Sequence, residues 1–266
     1  KSVVSKVERT IVRFSPNITI VFKYIVVNRD RRLKSKKAHL NDSIYDKLYI
    51  YDHLPGNIDK IIFFDADIVL RKDPAFLYGI DLQNKIIAAA PDNVLKFSPE
   101  AREAIGLECP EDYFNSGVMV IDLVKWRELN ICERAIQFAI HRRHSTKLHD
   151  QDAFNHVIHG NWLKLSYLWN PRPKNKIQMP NGEVEYLYRA EVYHRDMSYL
   201  IHFSGGEKPW NYLCTNPARK YYHRYLKRTG FKDYKPQDRT FPNFIRLTFK
   251  LFKSNLIMYR RIQLRS

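Results

Sequence analysis

Cysteine is scarce in this chain of 266 residues. The three present, Cys109, Cys132 and Cys214, are odd in number and none is spaced like a metal ligand, so neither a disulfide framework nor a cysteine-based zinc site is indicated. Long apolar runs are missing as well. None reaches the ~18 residues that a transmembrane helix requires, and there is no secretory signal pattern. Acidic residues are in short supply, 28 against 45 lysines and arginines, which leaves a formal net charge of +17. A partner recruited by charge is therefore anionic: a nucleoside diphosphate, an acidic lipid head group, a charged glycan or a nucleic acid. Nucleic acid is set aside, because zinc-finger spacing, an arginine-rich low-complexity tract and an aromatic RNA-reading consensus are all lacking. No internal repeat is present.

What remains is a chain with 44% hydrophobic content, long enough to bury one large core. Three apolar runs read as strands buried on both faces: Ile61 to Phe64, Ile86 to Ala90 and Gly117 to Ile121. A fourth strand is expected over the β-branched and aromatic run Ile18 to Val27. Helical periodicity falls on residues 2 to 14, 43 to 51, 98 to 105, 124 to 129, 132 to 142 and 150 to 158. Strands alternating with helices predict an α/β fold with a mostly parallel sheet flanked by helices. The loop from Arg29 to Lys37 is strongly basic and reads as a solvated surface segment. From Phe241 to Ser266 there is no acidic residue, while Arg246, Lys250, Lys253, Arg260 and Arg261 alternate with phenylalanine, leucine and tyrosine. That composition suits a helix lying on an anionic membrane surface, or one packed on the core with a solvated basic face. The expected organisation is one domain over residues 1–235 followed by a basic helical appendage over 236–266.

The sharpest local feature is Phe63-Phe64-Asp65-Ala66-Asp67-Ile68-Val69, an apolar strand that delivers two carboxylates at its C-terminal end. Ligands of open α/β sheets bind at that edge. Two carboxylates on one side of an extended segment suit a hard cation such as Mg²⁺ or Mn²⁺. The same Asp-x-Asp-x-Val string fits a phosphatase of the haloacid dehalogenase type, in which one aspartate is a nucleophile and the other a general acid. A second segment distinguishes the two. Ile201-His202-Phe203-Ser204-Gly205-Gly206-Glu207-Lys208-Pro209-Trp210 supplies an imidazole for a metal, glycines for close approach of backbone N–H groups to phosphate, and a lysine charge.

Together with Tyr113-Phe114-Asn115-Ser116-Gly117 and Asp150-Gln151-Asp152-Ala153-Phe154-Asn155, these segments resemble glycosyltransferase family 8, in order and at plausible spacing. The resemblance implies a GT-A fold, Rossmann-like, with Mn²⁺ (or Mg²⁺) and a UDP-sugar donor, and transfer of a hexose with retention to a glycolipid or polysaccharide acceptor. By the same resemblance Asp65, Asp67 and His202 hold the metal. Gly205 and Lys208 contact the diphosphate, and Asn115, Asp150 and Gln151 face the donor sugar, with Asp150 on sugar hydroxyls and Gln151 near the anomeric carbon; Asp150, Gln151 and Asp152 are the catalytic candidates. A bacterial member of this kind works at the cytoplasmic face of the inner membrane. The segment from His39 to Leu48 resembles a family helix that usually carries arginine where Lys47 stands. Family members also begin with a strand, helix and strand upstream of the helix at 2–14, so the chain reads as N-terminally truncated. That leaves a catalytically inactive glycan- or membrane-binding remnant as an alternative. Tyr167, Trp169, Tyr186, Tyr188 and Tyr193 are candidates for an acceptor cleft or for the core.

Overall fold

The computed structural model describes residues 3–15, 17–34, 42–95, 98–142, 149–171, 174–178, 184–188 and 198–263. The chain divides into two compact units, one of residues 24–202 and one of residues 1–23 with 203–266. The compositional division at residue 235 falls inside the second of these.

In the unit of residues 24–202 the strands are β1 (Lys60–Phe64), β2 (Ile68–Leu70), β3 (Ile87–Pro91), β4 (Phe114–Asp122), β5 (Trp162–Lys164), β6 (Lys174–Gln178), β7 (Val184–Tyr188) and β8 (Leu200–His202). A four-stranded sheet has the order β1-β4-β3-β5. β1, β3 and β5 run one way, in keeping with the expected parallel layout. β4 is inserted between β1 and β3 in the opposite sense, so the sheet is mixed. β4 is buried over nearly its whole length, which explains its continuous apolar run.

The period of two assigns β4 to two layers. Met119 and Ile121, opposite Phe63 and Ile61, face one apolar cluster. This layer also holds the inner sides of α5 (Ile131–Arg142) and α6 (Asp150–Ile158) and the 3-10 helices Asp42–Leu48 and Ile50–His53. Val118 and Val120, opposite Phe64 and Ile62, face a second cluster with Leu77, Trp169 and Leu200. Among the described residues this unit also contains the short α-helices α2 (Ala75–Tyr78), α3 (Pro99–Ala104) and α4 (Leu123–Glu128). The Asp122 side chain caps α4 by accepting the Lys125 N–H at 3.0 Å.

Two expectations are corrected. Residues 43 to 51 form 3-10 turns and not an α-helix. Ile18 to Val27 carries no strand at all: Val21, Tyr24 and Val26 are 81%, 93% and 77% exposed. β-branched residues favour a pleated, half-covered surface, and without a ladder partner their propensity alone does not hold a strand. Lys36, Lys37, His39 and Tyr193 lie outside the described residues.

The second unit contains α1 (Val3–Phe14), α7 (Arg219–Leu226) and α8 (Phe241–Gln263). Thr10 Oγ1 accepts the Gly230 N–H at 2.9 Å, and Lys6 Nζ sits 5.4 Å above the Phe231 ring. Asp238 accepts the backbone N–H groups of Tyr212 and Leu213. On α8, Phe241, Phe244, Ile245, Phe249, Leu251 and Phe252 are all exposed.

Candidate active site

Strand directions bring the polar ends together. β1 and β3 end at the edge where β4 begins, so Asp65, Asp92 and the run Asn115 to Gly117 share one rim of the sheet. The Asp65 N–H donates to the Gly117 carbonyl at 2.9 Å, carrying the β1–β4 ladder one residue past β1. Just beyond, β2 pairs antiparallel with β8 in a register that sets Ile68 against His202. That pairing places an imidazole beside Asp67 although 134 residues separate them in sequence.

Asp65, Asp67 and His202 each present one ligand atom, and these atoms lie within 4.8 Å of one another. His202 Nε2 is 3.2 Å from Asp67 Oδ1 and 3.6 Å from Asp65 Oδ2. The imidazole is 4% exposed while Asp65 is about a third exposed, so the cluster is walled on one side and open on the other. Two carboxylate oxygens and an imidazole nitrogen form a donor set for a divalent metal ion, and their closeness without a cation would leave two negative charges crowded together. A Cβ on Gly117 would stand 2.5 Å from His202 Cε1, 2.6 Å from Asp65 Oδ2 and 3.0 Å from Asn115 Oδ1. Only glycine lets β4 pass this close to all three.

The head of α6 supplies the second group. His149, the residue before it, has φ +54, a conformation strained for a residue with a side chain, and its ring stacks on Tyr45 at 5.4 Å. Asp150 is buried and accepts the Ser116 hydroxyl at 3.2 Å. Lys47 Nζ lies 3.5 Å from Asp150 Oδ2 and 3.1 Å from Asp65 Oδ1, and donates to the Ser116 carbonyl at 2.5 Å. The lysine at this position therefore links the two halves of the site, as a point charge without the guanidinium fork. Burial raises the Asp150 carboxyl above its ordinary value; Lys47 opposes that and Asp65 adds to it.

Gln151 is held at both ends of its amide. Its Oε1 accepts from Asn115 Nδ2 at 2.9 Å and the Ser116 N–H at 3.2 Å, and its Nε2 donates to Asp92 at 3.0 Å. Asp152 is buried and accepts the Tyr113 hydroxyl at 2.6 Å. Burial and the neighbouring Asp152 and Asp92 charges push that phenol well above its usual range. Asn155 clamps the first residue of β4, accepting the Phe114 N–H at 2.8 Å and donating to its carbonyl at 2.9 Å. The site residues read from sequence in this unit thus converge. Gly205 (φ +94) and Lys208, which donates to the Phe203 carbonyl at 3.0 Å, belong to the other unit and are described only within it.

Two buried residues of the site were not singled out by sequence. Asp92 follows the apolar run of β3 as Asp65 follows β1, so the same strand-end argument would have found it. Asn170, after the 3-10 turn Tyr167–Trp169, faces His202 and has no periodic signature.

The mixed α/β sheet flanked by helices is the fold of the GT-A class, shared with solved glycosyltransferase structures. The family model for glycosyl transferase family 8 matches residues 2–214, and the chain belongs to that family. General stress protein A of Bacillus subtilis (strain 168) is 29% identical over 201 residues, 73% of this chain and 68% of that protein. Lipopolysaccharide 1,2-glucosyltransferase of Escherichia coli (strain K12) is 29% identical over 204 residues, 74% of this chain and 57% of that protein. The chain therefore spans little more than half of the second relative's length. Among solved structures, the galactosyltransferase LgtC in complex with donor and acceptor sugar analogues superposes with a TM-score of 0.58 at 21% identity, covering 77% of this chain and 73% of that one. Family membership leaves the dehalogenase-type phosphatase alternative without support.

Proposed function

We propose that this protein transfers a hexose from a UDP-sugar to a glycolipid or polysaccharide acceptor with retention of configuration, in a reaction dependent on Mn²⁺ or Mg²⁺. The observation that carries this reading is the meeting of Asp65, Asp67 and His202 within 4.8 Å at the carboxyl edge of the sheet. These three residues would hold the cation. When bound, it neutralises charge on the donor diphosphate as the glycosidic bond breaks.

The chain's own groups account for the rest. By the family resemblance Lys208 and Gly205 would contact the diphosphate, and Asp150 and Asn115 would hold sugar hydroxyls. The bond from the anomeric carbon to the β-phosphate oxygen breaks with its electron pair left on phosphate. The acceptor hydroxyl oxygen bonds to the anomeric carbon from the same face, and its proton passes to the departing phosphate. A double displacement would need a carboxylate nucleophile close to the anomeric carbon. Gln151 offers an amide already bonded at both ends, and the Asp152 carboxylate is buried against the Tyr113 hydroxyl. Both features favour same-face attack over a covalent sugar-enzyme adduct.

The acceptor reading extends to an anionic membrane as the surface on which the enzyme works. Between Phe241 and Phe252, α8 exposes six large apolar side chains beside Arg246 and Lys250 and carries no acidic residue. No helix among the described residues is long and apolar enough to cross a membrane.

Release of UDP from UDP-glucose and UDP-galactose, measured with Mn²⁺ and with EDTA, tests the assignment. Turnover that requires the metal and is abolished in Asp67→Ala supports it. Metal-independent turnover, or full activity in Asp67→Ala, would sink it. A folded chain that neither binds nor turns over the donor would point to the inactive glycan- or membrane-binding alternative.

A further inference from the structure

We propose that Asn170 is a positioning residue that fixes the orientation and tautomer of His202 for a divalent cation, and that Asp92 dictates the polarity of its amide through Asn115. The inference rests on the metal reading given above.

The oxygen and nitrogen of an amide side chain are told apart only by their hydrogen-bond partners. Here two one-way groups settle the assignment. The Asp92 Oδ2 lies 3.0 Å from both Asn115 Nδ2 and Gln151 Nε2, and a carboxylate accepts. On the other side the Gly117 backbone N–H, which can only donate, is 2.9 Å from Asn115 Oδ1. Asn115 is pinned from both ends. Its Oδ1 also takes a hydrogen from Asn170 Nδ2 at 2.6 Å, so the Asn170 atom facing the imidazole is Oδ1, 2.9 Å from His202 Nδ1. A carbonyl oxygen cannot donate, and the proton in this bond belongs to Nδ1. Nε2 is then the ring atom turned to Asp65 and Asp67.

Ligand imidazoles are oriented in this way, with the distal N–H held by an outer acceptor. Asn115, Asn170 and His202 are all buried, so solvent offers no substitute partner. Gln151 belongs to the same directed network, which therefore runs without a break from the sugar end of the site to the metal end.

Mn²⁺ is titrated by calorimetry into the full chain as wild type, Asn170→Leu and Asn170→Asp. Long-range ¹H–¹⁵N spectra are recorded on histidine-labelled protein loaded with diamagnetic Zn²⁺, with His202 assigned by its loss in His202→Ala. The expected spectrum shows a proton on Nδ1 and the metal on Nε2. Asn170→Leu weakens Mn²⁺ by about 10–100-fold, and Asn170→Asp, which keeps an acceptor for Nδ1–H, recovers most of that loss. Metal on Nδ1, wild-type affinity in Asn170→Leu, or equal losses in both variants would overturn the inference while leaving the metal site standing. A wild-type chain that binds no Mn²⁺ would remove both. Should Asn170→Leu fail to fold, the wild-type spectrum and the Asn170→Asp affinity decide.

Discussion

Gly117→Ala isolates the geometry of the cluster with one added methyl group. Gly117 is an interior residue of β4, and its backbone accepts any L residue without strain, so the effect is steric. The new Cβ would lie 2.5 Å from His202 Cε1 and 2.6 Å from Asp65 Oδ2. Restoring a carbon contact of about 3.5 Å requires the imidazole to move by about 1 Å. Asp65 must move as well, and the two shifts take two of three ligands off position. Metal sites hold their distances to within about 0.2 Å. Ligands held off position in this way correspond to a loss of about 10–100-fold in metal affinity, or about 1.4–2.7 kcal/mol of binding. Overpacking costs the fold about 1–3 kcal/mol, partly offset because alanine is favoured over glycine in a strand. Calorimetric titration of Mn²⁺, paired with urea unfolding in EDTA, separates the two effects. An alanine variant with wild-type affinity and stability would refute the claim that these side chains close around Gly117.

Other perturbations probe separate parts of the account. Asp150 has its carboxyl raised by burial, so the folded state holds the proton more tightly than the unfolded chain. Its stabilising contribution is complete below the unfolded value of about 4 and is lost as pH rises through the folded value. In EDTA, wild type should lose stability relative to Asp150→Asn across that upward window, and parallel urea curves would contradict the burial argument. Asn155→Ala leaves the N–H and carbonyl of Phe114 without their clamp, at about 1–3 kcal/mol for each group. A shift in the urea midpoint equivalent to less than 1 kcal/mol would mean that β4 does not depend on it. On α8, the double variant Phe249→Ala/Phe252→Ala removes two exposed rings, each worth about 1.5–3 kcal/mol when fully buried. Cosedimentation with anionic vesicles should fall at least tenfold and weaken in high salt; equal binding to neutral vesicles would argue against a charged membrane partner.

The parts legible in sequence were those whose physics is local. β3 and β4 announced themselves as apolar runs because both of their faces are buried, whereas β1, read the same way, packs against both clusters but is only partly buried along its length. Asp65 and Asp67 stood out by following one of those runs. The antiparallel insertion of β4 was not legible, since the order of neighbours in a sheet is set by tertiary pairing and not by the composition of any strand. Ile18 to Val27 misled for the complementary reason: its residues suit a strand, yet no ladder pairs with them among the described residues. The family resemblance implied that His202 joins Asp65 and Asp67 at a metal, but the β2–β8 register that brings the imidazole there was not legible in the sequence. Asp92 and Asn170 are single buried polar residues, and their importance lies in a network visible only once five segments have come together.

Calorimetric titration of UDP into the chain, with and without Mn²⁺ and alongside Asp67→Ala, tests the central claim most directly. Asp67 carries a carboxylate oxygen 3.2 Å from His202 Nε2, and its removal takes away one of the three ligands. The account predicts UDP binding that requires Mn²⁺ in the wild type and disappears in the variant. UDP binding that ignores the metal, or that survives in Asp67→Ala, would contradict it.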